Sequence, residues 1–194
     1  MNVLSVINFR LRTLLIVTLV SFLAAGCPFT LPRSVEHLEI LKQGVDVWNQ
    51  WREDNPEVSP VLIYFRTELV GMDLAGVNFS GMELESDLSS ANLESASFTG
   101  ASMGRTVFFG ANLSGSDLSG AHAISTVFTS ADLTGADLSG LELLFADFKD
   151  ADLSRSNISG IFGWEEIVNI IFGVQNAPDG FREWALANGA VEVE

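Results

Sequence analysis

Residues 86–160 read SDLSS ANLES ASFTG ASMGR TVFFG ANLSG SDLSG AHAIS TVFTS ADLTG ADLSG LELLF ADFKD ADLSR SNISG, fifteen units of five with nothing inserted between them. Each unit runs small residue, Asp or Asn, Leu or Phe, Ser or Thr, Gly, and the purest triplets begin at Ala91, Ala111, Ala131 and Ala151, twenty residues apart. A period of five belongs to neither a helix nor a strand, so neither would hold Leu93 and Phe98 on one face. The chain has to turn at every fifth residue. Glycine closes many units, among them Gly100, Gly115 and Gly135, and supplies the positive φ that a tight turn calls for. Four turns close a square, so one coil takes twenty residues and the triplets return at that interval.

Working back from Ser86, central apolar residues fall at Leu69, Leu74, Phe79 and Leu84, and then only four residues separate Leu84 from Leu88. One residue missing from a repeat predicts a kink or a tightened corner between Met82 and Asp87. Val61 to Phe65 is apolar and predicts a strand entering the coils. Before it, Ser34 is placed to cap one helix carrying Leu38, Leu41, Val45 and Trp48 at helical spacing, stopped by Asn55-Pro56. Ile40, Val47 and Trp51 give this helix a second apolar flank, which predicts a lid on the core. Its Glu36, Glu39 and Asp46 speak against a place on anionic lipid.

Residues 1–27 have the layout of an export signal: Arg10 and Arg12, an apolar run from Thr13 to Ala25, then Ala24-Ala25-Gly26 before Cys27. Small residues ahead of a sole cysteine resemble the bacterial lipobox, with Ala24 where that motif favours Leu. That resemblance implies cleavage before Cys27 and a lipid anchor on its sulfur, enough acyl chains for stable attachment. A plain secretory signal and an uncleaved anchor are the other readings. All three place the chain after Cys27 on the extracytoplasmic side, at the cell membrane or the outer membrane facing the periplasm, because the positive flank stays cytoplasmic.

Composition narrows the function classes. The formal net charge is −15 over 194 residues, so nucleic acid phosphates would be repelled. One cysteine rules out an internal disulfide framework, and His37 and His122 lie too far apart for metal-ligand spacing. The many Ser and Thr are turn residues of the repeat rather than members of a nucleophile–base pair, so no enzyme, cofactor or metal site is expected.

The repeat resembles that of pentapeptide-repeat proteins, over Thr67 to Gly160. This implies an all-β solenoid, a right-handed quadrilateral β-helix, with the central residue and the small residue two before it pointing inward and the rest outward. The inward ladders would be Leu93, Leu113, Leu133, Leu153; Phe98, Leu118, Leu138, Ile158; Met103, Ala123, Leu143; and Leu88, Phe108, Phe128, Phe148, the last a stack of rings. The units from Ala101, Ala121 and Leu141 depart from the pattern on one shared face, and there His122 would stand outward as a lone solvated imidazole. After Gly160 the residues predict a short helix from Trp164 and another over Pro178 to Asn188, and the stretch Phe172 to Leu186 resembles the C-terminal tail of some family members. The expected organisation is therefore 1–27 signal or anchor, 28–58 tether and N-terminal capping helix, 59–163 β-helix, and 164–194 C-terminal helical cap and tail, with Trp48, Trp51, Trp164 and Trp184 sealing the ends.

Two functions follow as expectations. The first is a non-enzymatic, membrane-tethered structural or protein-interaction module. The second, drawn from acidic family members, is a DNA mimic acting on a topoisomerase through rows such as Asp73, Asp132, Asp152 and Asp117, Asp137; Asn92, Asn112 and Ser97 dilute these rows, and an exported protein would not meet that enzyme. One surface stands out: Val107, Phe109 and Val127 on one face and Ile124, Leu144 and Phe145 on the next are apolar at outward positions. They predict a patch covered by the chain's own terminal helices, by a protein partner or by a second copy.

Overall fold

A computed structural model describes residues 33–162 and Glu183. The repeats wind into a β-helical coil with four sides. Asp73 bridges Asn92, which bridges Asn112, then Asp132, then Asp152, all in parallel. A second ladder joins Asn78, Ser97, Asp117, Asp137 and Asn157, and a fourth joins Asp87, Val107, Val127 and Asp147. The third side holds the formal strands: β1 (Val61–Ile63) pairs with β2 (Glu83–Glu85), and β3 (His122–Ile124) with β4 (Glu142–Leu144). Ser102 links the two pairs by bridging Glu83 and His122, and Phe162 bridges Glu142. Elsewhere each rung is a single bridged residue, because a side only five residues long must give most of them to its corners.

The corners behave as the glycines require. Gly100, Gly115 and Gly135 have φ of 63°, 65° and 68°, and the same corner position is held at positive φ by Arg105, Ser125 and Phe145 where no glycine is present. Inside, the ladders agree with the expected register. Leu93, Leu113, Phe98, Leu118, Met103, Ala123, Phe108 and Phe128 have no exposed surface, and Ile158 in the last coil packs partly buried against them. Phe108, Phe128 and Phe148 stack with centroids 5.2 and 4.7 Å apart, close to the spacing between neighbouring strands. The stack reaches further than its own ladder. Phe98 meets Phe108 edge-on, Phe79 meets Phe98, and Trp48 meets Phe79, so one aromatic spine runs from the N-terminal helices into the coils.

The missing residue does tighten a corner. Between Leu84 and Leu88 a single outward residue, Glu85, replaces the usual two, and none of Leu84, Glu85 and Ser86 takes positive φ. One coil earlier the chain is longer, because Val61 registers with Glu83, an offset of 22 residues.

The predicted single helix is two. α1 spans Arg33–Leu41, so Ser34 lies inside it rather than capping it, and α2 spans Val45–Asp54. Gly44 between them has φ of 117°, which breaks the helix while leaving Leu41, Val45 and Trp48 at helical spacing. Both helices sit on the N-terminal end of the coil and supply side chains where the next coil's backbone would be. Trp48 is fully buried and donates its Nε1–H to the Asn78 carbonyl at 2.7 Å. Asn49 donates to the Gly76 carbonyl at 3.0 Å and accepts the Asn78 N–H at 2.8 Å, as a peptide group would. Arg52 donates to the Ser80 carbonyl at 2.6 Å. Among the described residues no helix is long and apolar enough to cross a membrane.

Candidate functional site

The predicted surface residues fall on either side of the corner that joins the third and fourth sides. Ile124 pairs with Leu144 in the β3–β4 register, and Val107 bridges Val127 on the fourth side. Phe145 follows Leu144 at the corner itself. Phe109 lies two residues beyond Val107, toward the far edge of the fourth side. The exposures divide them: Phe145 is 56% exposed, Phe109 51% and Ile124 39%, whereas Val107, Val127 and Leu144 are half-buried. The N-terminal helices hold the end of the coil and leave these three large side chains in solvent. Cys27, together with Trp164 and Trp184, lies outside the described residues.

The same corner contains a concavity that sequence reading missed. Along the third side the outward row runs Ile63, Glu85, Gly104, Ile124 and Leu144, and at Gly104 the row has no side chain. The gap is a notch of about 300 Å³. Ile63 and Ile124 give it aliphatic walls, Glu83, Glu85 and Arg105 charged ones, and Ser102 and Ser125 add hydroxyls. Arg105 Nε lies 3.4 Å from Glu85 Oε1 in an ion pair whose arginine is largely solvated. Glu83 is exposed and has no ion-pair partner among the described residues. The signal was present as the one unit, Ala101 to Arg105, with glycine in its fourth place, but a departure from a repeat does not by itself show which side chains border the gap.

His122 is not a lone imidazole. Its Nδ1 lies 2.5 Å from Glu142 Oε2 across adjacent rungs of the third side. No cluster of three or more metal-ligating side chains occurs among the described residues.

The acidic rows have work inside the fold. Asp87, Asp117, Asp132, Asp137, Asp147 and Asp152 each accept, through Oδ1, the N–H of the residue two further on. Asn92 donates to Asp73, and Asn157 donates to Asp137, so rungs are also tied side chain to side chain. Partial burial would raise the Asp117 carboxyl, but hydrogen bonds from Ser119 and Thr99 outweigh it and hold the group below its usual range. These carboxylates close turns before they face any ligand.

Comparison with known proteins agrees with the coil geometry. The family described as pentapeptide repeats matches residues 86–122 and 124–161, in eight copies. The match falls on the coils between residues 86 and 161. Among solved structures, the pentapeptide repeat protein Rfr23 from the cyanobacterium Cyanothece 51142 is 21% identical, with 58% of this chain and 91% of that one covered and a TM-score of 0.33. A pentapeptide repeat protein from the Arabidopsis thaliana thylakoid lumen is 27% identical, with coverages of 62% and 91% and a TM-score of 0.25. QnrB1, a plasmid-mediated fluoroquinolone resistance protein, is 22% identical, with coverages of 46% and 56% and a TM-score of 0.35. No curated protein matches the chain.

Proposed function

We propose that this pentapeptide-repeat protein is a non-enzymatic interaction module, tethered through its N-terminus to a membrane on the extracytoplasmic side. The observation that carries the reading is the pair of large apolar side chains Ile124 and Phe145, exposed at the corner between the third and fourth sides, with Phe109 exposed at the far edge of the fourth side. Apolar groups of this size grouped on a rigid scaffold gain free energy when a partner covers them, at about 25 cal/mol per Å². The sequence from Arg10 to Cys27 supports the tether. The DNA-mimic reading has less support: its acidic rows are diluted by Asn and Ser and spend an oxygen of each carboxylate on turn closure.

Two variants test the two halves of this reading. Cys27→Ser is expected to release the protein from membranes or leave it as an unprocessed precursor; processing and fractionation like the wild type would remove the lipid anchor from the proposal. Phe109→Ser with Leu144→Ser is expected to leave thermal unfolding unchanged while abolishing a dimer or a cross-linked partner seen with the wild type. A lower melting temperature in a monomer would instead mean that the chain covers this surface itself.

A further inference from the structure

The twelve glycines described in the structure divide unequally. Eleven have positive φ, so their lack of a side chain answers a backbone demand. Gly104 is the exception: its φ is not positive, and a Cβ placed there would meet nothing nearer than the Ile124 carbonyl oxygen at 3.9 Å. Neither backbone strain nor crowding calls for glycine at this position. What its bareness does is hold open the notch between Glu85 and Ile124.

We infer that the Gly104 notch receives one lysine or arginine side chain of a partner polypeptide. The inference rests on the interaction reading above and gives that partner its chemistry. The walls are divided as such a side chain is divided. Ile63 and Ile124 suit an alkyl stem, and the carboxylates of Glu83 and Glu85 suit the cationic head. The volume, about 300 Å³, lies at the small end of the range of ligand pockets and leaves room for one long side chain. Arg105 already shows that a guanidinium can pair there, through an exposed contact of the kind that is easily displaced. A chain with net charge −15 draws basic partners toward it. Beyond the notch lie Leu144 and Phe145, so a basic residue followed by apolar ones would use both surfaces.

The test is a titration of the full-length protein, in nonionic detergent, with the peptide acetyl-Ser-Lys-Val-Lys-Ser-amide, read from backbone amide NMR signals. The Gly104 and Ser125 signals are expected to move progressively, and the same peptide with norleucine for lysine is expected to bind at least about tenfold more weakly, a difference of about 1.4 kcal/mol. Glu83→Gln with Glu85→Gln should abolish the shifts. Gly104→Leu should also abolish them by filling the notch, with thermal unfolding unchanged. Arg105→Ala should tighten binding severalfold by removing the internal competitor. Equal binding of the norleucine peptide, shifts spread along the aspartate rows, persistence in Gly104→Leu, or no shift at millimolar peptide would overturn the inference. If the notch variants have no effect while Phe109→Ser with Leu144→Ser still loses a partner, the interaction reading stands and only the basic-side-chain assignment falls.

Discussion

The Leu84 carbonyl lacks the turn partner that Met103 has one coil on. In a regular coil the central residue's carbonyl accepts the N–H three residues on, as Met103 does from Thr106 at 3.0 Å. After Leu84 the corner is one residue short, and Asp87 sends its N–H to Phe65 instead. Thr106 in the next coil compensates: its buried hydroxyl donates to the Leu84 carbonyl at 2.7 Å. Thr126 makes the equivalent bond to Met103 at 2.8 Å, where the turn N–H is also present. The two threonines therefore differ in what their loss leaves behind. Thr106→Val should strand a buried carbonyl and cost about 1–3 kcal/mol, whereas Thr126→Val should cost less, about 1 kcal/mol, both read from urea unfolding. Equal losses would show that the shortened corner needs no compensation. The four-residue step from Leu84 to Leu88 was legible in the sequence. The threonine's role was not, because Thr106 occupies an ordinary small-residue position and its partner lies in another coil. Likewise Asp and Asn could be assigned to the outside from the repeat alone, but the reason they alternate freely, an Oδ1 that both can offer to the N–H two residues on, needed the turn geometry.

At the scale of elements, the N-terminal helices act as a substitute coil, and His37 is their most exacting contact. It is buried in α1, and its Nδ1 accepts the Val61 N–H of β1 at 3.0 Å. Burial pulls its pKa below the usual 6.5, with Arg33 and Arg52 acting in the same direction, and the Val61 carbonyl, 3.3 Å from Nδ1, and Glu36 opposing. The folded protein thus holds the imidazole neutral while the unfolded chain protonates it first. Stability should fall as pH drops below about 6.5 and stop falling, for this group, beneath the lowered folded-state value. Asn in place of His37 keeps an acceptor near the Nδ1 position without titrating. Thermal unfolding of His37→Asn should lose the slope below pH 6.5 expected of the wild type; parallel curves would assign any such slope to other groups. A lid at this end was legible from the apolar flanks of residues 34–55. Its division into α1 and α2 was not, since apolar spacing runs unbroken across Lys42 to Gly44, and only the φ of Gly44 reveals the break.

For the whole molecule, an open coil end is a sheet edge presented four times over, and such an edge pairs with whatever strand it meets. α1 and α2 occupy this edge with Trp48, Asn49, Arg52 and His37, each bonded to backbone of the first coil. They also cover Phe79, the ring where the aromatic spine would otherwise reach the surface. A form beginning at Ser59, compared with one beginning at Pro28, would leave the carbonyls of Gly76, Asn78 and Ser80 and the N–H of Val61 and Asn78 without these partners. Because every rung has the same parallel geometry, the uncovered end should accept a coil from another molecule and give stacked oligomers. Net charge opposes this: the chain as a whole carries −15, and like-charged molecules repel until salt screens them over about 8 Å at physiological ionic strength. Sedimentation of the shortened form is therefore expected to show association that increases from low to high salt, while the longer form stays unchanged over the same range. Association in both forms alike would point instead to the surface around Phe109 and Phe145, and a shortened form that stays monomeric at high salt would mean that water alone satisfies the coil's first rung.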